Sequence, residues 1–105
     1  MALDELMKLK GVQVAIEFDA HGKLTEIEGD MSRELAVLLA RFAHLNIQIA
    51  KSQAEDYTVM GGVGIEHPTG FGLIGTKRSS FTRGNKAVLL LSQEADFNEI
   101  IKNSW

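Results

Sequence analysis

A short glycine-rich run offers the first candidate chemistry, because its spacing matches the G-x-G-x-x-G pattern of loops that bind nucleotide phosphates. The run is Gly70-Phe71-Gly72-Leu73-Ile74-Gly75. In dinucleotide-binding proteins such glycines follow a strand and open a helix, whose N-terminal N–H groups hold the phosphate. Here Pro68 precedes the glycines and a strand-like pattern follows them, while Thr76-Lys77 reverses the Lys-Ser/Thr order of a P-loop. The spacing therefore favours glycines that allow close packing in a strand.

A small-ligand or nucleotide sensor is the alternative function that this part of the chain suggests. Residues 60–70 show neither a helical nor a clean strand period. A connector of that length is usually functional or mobile. If segment 60–77 binds a ligand, the candidate contacts are its glycines and its histidine: Gly61, Gly62, Gly64, His67, Gly70 and Gly72.

Acid–base and metal chemistry have few candidates. The histidines, His21, His44 and His67, form no H-E-x-x-H or other ligand pair, and the absence of cysteine excludes Cys-ligated zinc, iron–sulfur clusters and a thiol nucleophile. Glu66 beside His67 is the best acid–base pair, but the sequence offers no nucleophile or third orienting group for it. We therefore expect no catalysis, no metal and no cofactor, and an enzyme that uses Glu66 and His67 is a weaker alternative.

Composition narrows the class of protein further. The chain has 105 residues, with 11 basic and 14 acidic residues and a net charge of -3. One domain spanning residues 1–105 fits this length, and the acidic balance argues against a nucleic-acid partner. Charges occur where a signal peptide would be apolar, and no run approaches the ~18 apolar residues of a membrane span. We expect a cytoplasmic protein that binds neither nucleic acid nor membrane.

The positive charge is concentrated in one part of the chain. No acidic residue occurs between Glu66 and Glu94, whereas four basic residues do. If the hairpin that carries them gathers them into one patch, the patch could steer an acidic partner or bind an anion. The alternative is a set of solvated hairpin ends that protect an exposed sheet edge. The four candidate contacts are Lys77, Arg78, Arg83 and Lys86.

Periodicity predicts eight elements in the order αββαβββα. The predicted fold class is α+β: a five-stranded antiparallel sheet, with a long central helix on one face and two short terminal helices on the other. Asp96 and Glu99 have the spacing of a capping box and begin the last helix. The other predicted elements are a helix over 3–10, strands over 12–18 and 23–28, a helix over 31–56, and strands over 71–76, 79–83 and 86–92.

This order resembles the roadblock/dynein-light-chain superfamily, a roadblock/profilin-like fold. The matching features are Gly11-Val12 at the first strand, the Asp19-x-x-Gly22 hairpin, the long central helix and Gly84-Asn85-x-Ala87-Val88 before the last strand. The chain looks most like small uncharacterised prokaryotic roadblock-like proteins, although its segment 60–70 is longer than the usual link. The resemblance implies a homodimeric, non-enzymatic scaffold or regulator that acts on a small GTPase or another assembly.

The central helix carries more apolar surface than one sheet face needs. At about 100° per residue its apolar arc spans roughly 200°, about twice the width of a one-sided surface helix. Two stripes make up this arc. The bulky stripe consists of Leu35, Leu38, Phe42, Leu45 and Ile49, and the alanine stripe consists of Ala36, Ala40, Ala43, Ile47, Ala50 and Ala54, with Leu39 beside it.

We interpret the second stripe as a contact between two copies of the chain. Large side chains suit the gap above a sheet, and a smooth alanine ridge is easily self-complementary across a two-fold axis. The alternative is that the alanines reflect helix propensity alone, or that a terminal helix covers them. The sequence thus predicts a homodimer through this stripe, besides an unidentified protein partner. Its predicted interface residues are Ala36, Leu39, Ala40, Ala43, Ile47, Ala50 and Ala54.

Overall fold

A computed structural model describes residues 2–59 and 70–103 and confirms the predicted α+β fold and element order. The first predicted helix is shorter than expected, since only its first turn is helical, and the central helix is longer at its C-terminal end. The elements are α1 (Leu3–Leu6), β1 (Val12–Phe18), β2 (Leu24–Gly29), α2 (Arg33–Val59), β3 (Gly70–Ile74), β4 (Arg78–Arg83), β5 (Lys86–Leu91) and α3 (Phe97–Lys102).

The five strands form one antiparallel sheet in the order β2-β1-β5-β4-β3. The continuously apolar β5 lies between β1 and β4, as its composition predicts for a strand covered on both faces. β2 and β3 lie at the two edges. The register places Ile16 opposite Ala87 and Phe81 opposite Val88.

The two faces of the sheet bury different apolar clusters. On one face, α1 and α3 supply Leu6 and Ile100, which pack with Ala15, Val88 and Leu90 of the sheet. On the opposite face, α2 packs against Val14, Ile16 and Phe18 of β1. The helices therefore lie on the faces that the sequence predicts, with α2 alone on one of them among the described residues.

Local side-chain contacts determine where the helices begin. Ser32 Oγ accepts a hydrogen bond from the N–H of Leu35 at 3.2 Å and acts as the N-terminal cap of α2. Asp96 Oδ1 accepts one from the N–H of Glu99 at 3.1 Å and caps α3, as the Asp-x-x-Glu spacing predicts.

The β1–β2 hairpin turn depends on Asp19. The backbone N–H groups of Lys23 and His21 donate to Asp19 Oδ1, at 3.0 and 2.8 Å, and hold the pKa of this carboxyl below its usual value. Gly22 in the same turn has a φ of 80°, which L side chains rarely adopt.

The lowered pKa of Asp19 predicts a pH-dependent contribution to stability. Because the folded-state pKa lies below the unfolded-state pKa, the stabilisation is present above about pH 4 and is lost as the pH falls through the folded-state pKa. We expect Asp19→Ala to lower the melting temperature at neutral pH, and the difference from the unmodified chain to shrink as the pH falls below about 4. Thermal denaturation of both chains across this range measures it. A difference that does not change with pH would show that the charge of the carboxylate plays no part.

Candidate interaction surface

The alanine stripe of α2 lies against the sheet of its own chain. Ala36, Ala40 and Ala43 are fully buried and pack with the large side chains of β1. Leu39 packs partly against the same cluster, Ile47 and Ala54 are buried, and Ala50 is half-buried. The predicted use of this stripe as the surface that meets a second copy is therefore wrong, because the chain itself already covers it.

The physical reason lies in the sizes of the facing side chains. β1 presents Val14, Ile16 and Phe18 toward α2, and these fill the space between the layers. Small residues on the helix then let its backbone approach the sheet, so that large and small side chains interdigitate at native packing density. Leucines in place of these alanines would hold the helix farther from the sheet.

The bulky stripe faces away from the sheet. Leu35, Leu38, Phe42, Leu45 and Ile49 are 43–56% exposed. The prediction that this stripe packs on the sheet is also wrong, since the two stripes have exchanged roles. The result is a row of five half-exposed large apolar side chains along the outer surface of one helix.

The edge strand β3 extends the apolar surface on the sheet. Leu73 and Ile74 are 53% and 63% exposed. Leu73 lies opposite Ser80, and therefore on the face of the sheet that carries α2, and α2 contacts β3. Within the described residues β3 hydrogen-bonds to β4 and has no strand on its other side. Among the described residues, the outer side of this strand combines backbone groups that pair with no other strand with apolar side chains.

The other edge of the sheet has a different character. β2 carries the exposed side chains of Glu26 and Glu28. Charged side chains on an edge strand discourage pairing with another chain, and β3 from Gly70 to Ile74 has none. The two edges are therefore chemically unequal, with β3 suited to a contact and β2 protected from one.

The glycine-rich run lies within β3 and does not open a helix. A Cβ atom at Gly72 would lie 2.6 Å from Phe81 Cε1, so this glycine allows close packing against β4. Gly70 and Gly72 also line a cleft of about 380 Å³ beside Phe81 and Ile100, at the lower end of the size of ligand pockets. The small-ligand alternative stays a prediction at this cleft. Its other candidate contacts, Gly61, Gly62, Gly64 and His67, lie outside the described residues, as does Glu66.

The four basic residues do not form one patch. Lys77 and Arg78 lie at the β3–β4 turn, whereas Arg83 and Lys86 lie at the opposite end of β4. The strand between the two pairs is about 16 Å long. Arg83 instead donates hydrogen bonds to the carbonyl oxygens of Asn103 and Ile101, at 2.6 and 3.0 Å, and so stabilises the C-terminal end of α3. The single-patch prediction is therefore wrong.

Two serine hydroxyl groups near the β3–β4 turn form hydrogen bonds with the backbone of Gly75. Ser92 Oγ donates to the carbonyl oxygen of Gly75 at 2.7 Å and lies 2.7 Å from Ser79 Oγ. Ser79 Oγ in turn accepts a hydrogen bond from the N–H of Gly75 at 3.3 Å. These contacts give both serines a structural role in the turn.

His44 lies on α2 and takes part in an aromatic contact. The ring of His44 packs edge-on against Phe18, with ring centroids 6.2 Å apart. Within residues 2–59 and 70–103, no three or more His, Cys, Asp or Glu side chains come together as a metal site. The helices in the same ranges are too short or too polar to cross a membrane.

Comparison with known proteins identifies one family. Residues 2–103 match the model of a family described as an uncharacterised conserved protein, DUF2173. No curated protein matches the chain.

Proposed function

Because the chain belongs to the DUF2173 family of uncharacterised conserved proteins, we propose its function from its surface: it is a non-enzymatic homodimeric interaction module. The observation that carries this proposal is the exposed bulky stripe of α2. Apolar side chains of this size seldom lie together on the surface of a monomer unless the surface binds something.

The area of the stripe suits a contact between two small proteins. Taking roughly 200 Å² for a whole large apolar residue, its five half-exposed members present on the order of 500 Å². With Leu73 of β3, the apolar surface reaches about 600 Å². A standard interface buries about 800 Å² per partner, and this area includes both the apolar centre and the polar rim around it. The surface is therefore large enough to form the apolar centre of a dimer interface.

A second copy is the occupant that this surface fits best. In a two-fold dimer the same patch meets itself, so a row of uncharged large side chains buries its own equivalent without any charge to neutralise. The uncharged strand β3 adds a second place for the same copy to pair, in contrast to the charge-protected strand β2 at the opposite edge of the sheet. Both features point to self-association through α2 and β3.

The resemblance to roadblock proteins supports the same proposal. Those proteins typically dimerise through the central helix and the adjoining strand edge, and the element order of this chain resembles theirs. The proposed role is that of a cytoplasmic scaffold or regulator that presents the dimer to a protein partner. A small GTPase or another assembly is the partner class that the resemblance implies.

The mass of the protein in solution tests the proposal directly. We expect size-exclusion chromatography with light scattering at micromolar concentration to give twice the chain mass of 11.5 kDa. Dilution should shift the mass toward the single chain at concentrations below the dissociation constant. A mass of one chain throughout the micromolar range would contradict the dimer.

A further inference from the structure

Asn46 on α2 carries a polar group that its own chain leaves unsatisfied. Its side-chain nitrogen Nδ2 is buried and has no hydrogen-bond partner in the described structure. Burying an amide N–H without a hydrogen-bond partner is unfavourable, and such groups in native proteins call for an explanation. Asn46 directly follows Leu45 and lies three residues before Ile49, so it borders the exposed bulky stripe.

The bulky stripe by itself does not define how two helices align. Its members are spaced 3,4,3,4 along the chain, which is the spacing of the apolar seam of a coiled coil. Because all five are large and apolar, a partner helix that runs in the reversed direction would bury nearly the same surface, and one shifted by one seven-residue repeat would still bury three of the five side chains. Apolar burial therefore favours association without selecting one alignment.

We propose that Asn46 selects the alignment of the two α2 helices in the dimer. This inference rests on the proposed dimer and adds the residue that gives it one geometry. Rotation about χ2 exchanges the two ends of the amide, so that either end can turn toward a second copy. In one alignment the amide meets a hydrogen-bond partner on that copy, and in the others it stays buried and unpaired. A polar residue at such a seam lowers stability and raises the specificity of pairing.

Distance measurements between spin labels test this role. The chain has no cysteine, so Glu55→Cys gives one label on each copy, on the exposed surface of α2. The dimer should give a single narrow distance distribution. Adding Asn46→Leu should leave the chains associated, with a dissociation constant equal to or below that of the parent, but should broaden the distribution or give it a second maximum. A slide of one repeat moves a label by about 10 Å, which the measurement resolves.

A matched control separates this effect from the loss of any amide on the helix. Gln48→Leu makes the same change from amide to leucine at an exposed position of α2, and should keep the narrow distribution. If Asn46→Leu does not fold, Asn46→Ala removes the same amide without added bulk and is expected to broaden the distribution likewise. A narrow distribution at the parent distance in the Asn46 variants would overturn the role of Asn46 while the dimer stands. A monomeric parent chain would overturn the dimer and this inference together.

Discussion

Phe42→Glu is expected to convert the proposed dimer into a folded monomer. Phe42 lies at the middle of the bulky stripe and is 43% exposed in the single chain, so a glutamate there stays hydrated when the chain is alone. In the dimer the two-fold axis brings two such carboxylates into an apolar contact, where each loses hydration without a partner. We expect the dissociation constant to rise at least 100-fold, which corresponds to about 3 kcal/mol. Analytical ultracentrifugation across a concentration series measures the change.

Val37 provides the matched control for this substitution. It lies on the same helix, is 38% exposed and is apolar, but it is not part of the bulky stripe. Val37→Glu makes the same chemical change and should leave the dissociation constant within a few fold of the parent value. An unchanged dissociation constant in Phe42→Glu would rule out the bulky stripe as the contact.

Ala40→Glu is expected to destabilise the fold itself, because Ala40 is fully buried between α2 and β1. A glutamate there overfills the space beside Ile16 and Phe18 and buries an unpaired charge. We expect a loss of about 3 kcal/mol or more in the free energy of unfolding. For a chain of this size the melting temperature should then fall by more than about 12 °C.

The measurement is cleanest in a chain that is already monomeric, because dissociation also lowers the melting temperature by mass action. Ala40→Glu should therefore be compared with its parent in the Phe42→Glu background, with Val37→Glu in that background as the exposed control. If Ala40→Glu left the melting temperature of the monomer unchanged, the alanine stripe would not be the core face of α2. Together the two experiments determine which stripe of α2 packs on the sheet and which forms the dimer contact.

The order and class of the elements were predictable from the sequence because each strand and turn has a local signature. β1 alternates from Val12 to Phe18, β5 is continuously apolar, and the Asp96 cap begins α3 where its spacing indicates. These features depend on neighbours in the chain, and the structure agrees with them to within a few residues. The departures are at the ends of helices, as for α1, where packing decides how many turns persist.

The faces of α2 were not predictable from its own periodicity. Both stripes are apolar and both have helical spacing, so the pattern within the helix does not say which one meets the sheet. The deciding information lies in β1, whose Val14, Ile16 and Phe18 leave room only for small residues opposite them. Of the two alternatives for the basic residues, the single patch is excluded because the two pairs lie at opposite ends of β4, about 16 Å apart along an extended strand.

The position of β5 in the sheet affects how the protein is made. Synthesis on the ribosome delivers residues 12–59 long before residues 86–91, yet β5 is the strand that joins β1 to β4. Until it emerges, the β1–β2 hairpin and α2 lack the centre of their sheet, and pairing between such distant segments is intrinsically slow. At that stage the cluster beneath α2 lacks Ala87 and Leu89 of β5, so part of its apolar surface stays exposed, a state prone to premature association. The synthesis of β5 therefore determines when the sheet can close and when the apolar cluster beneath α2 becomes fully buried.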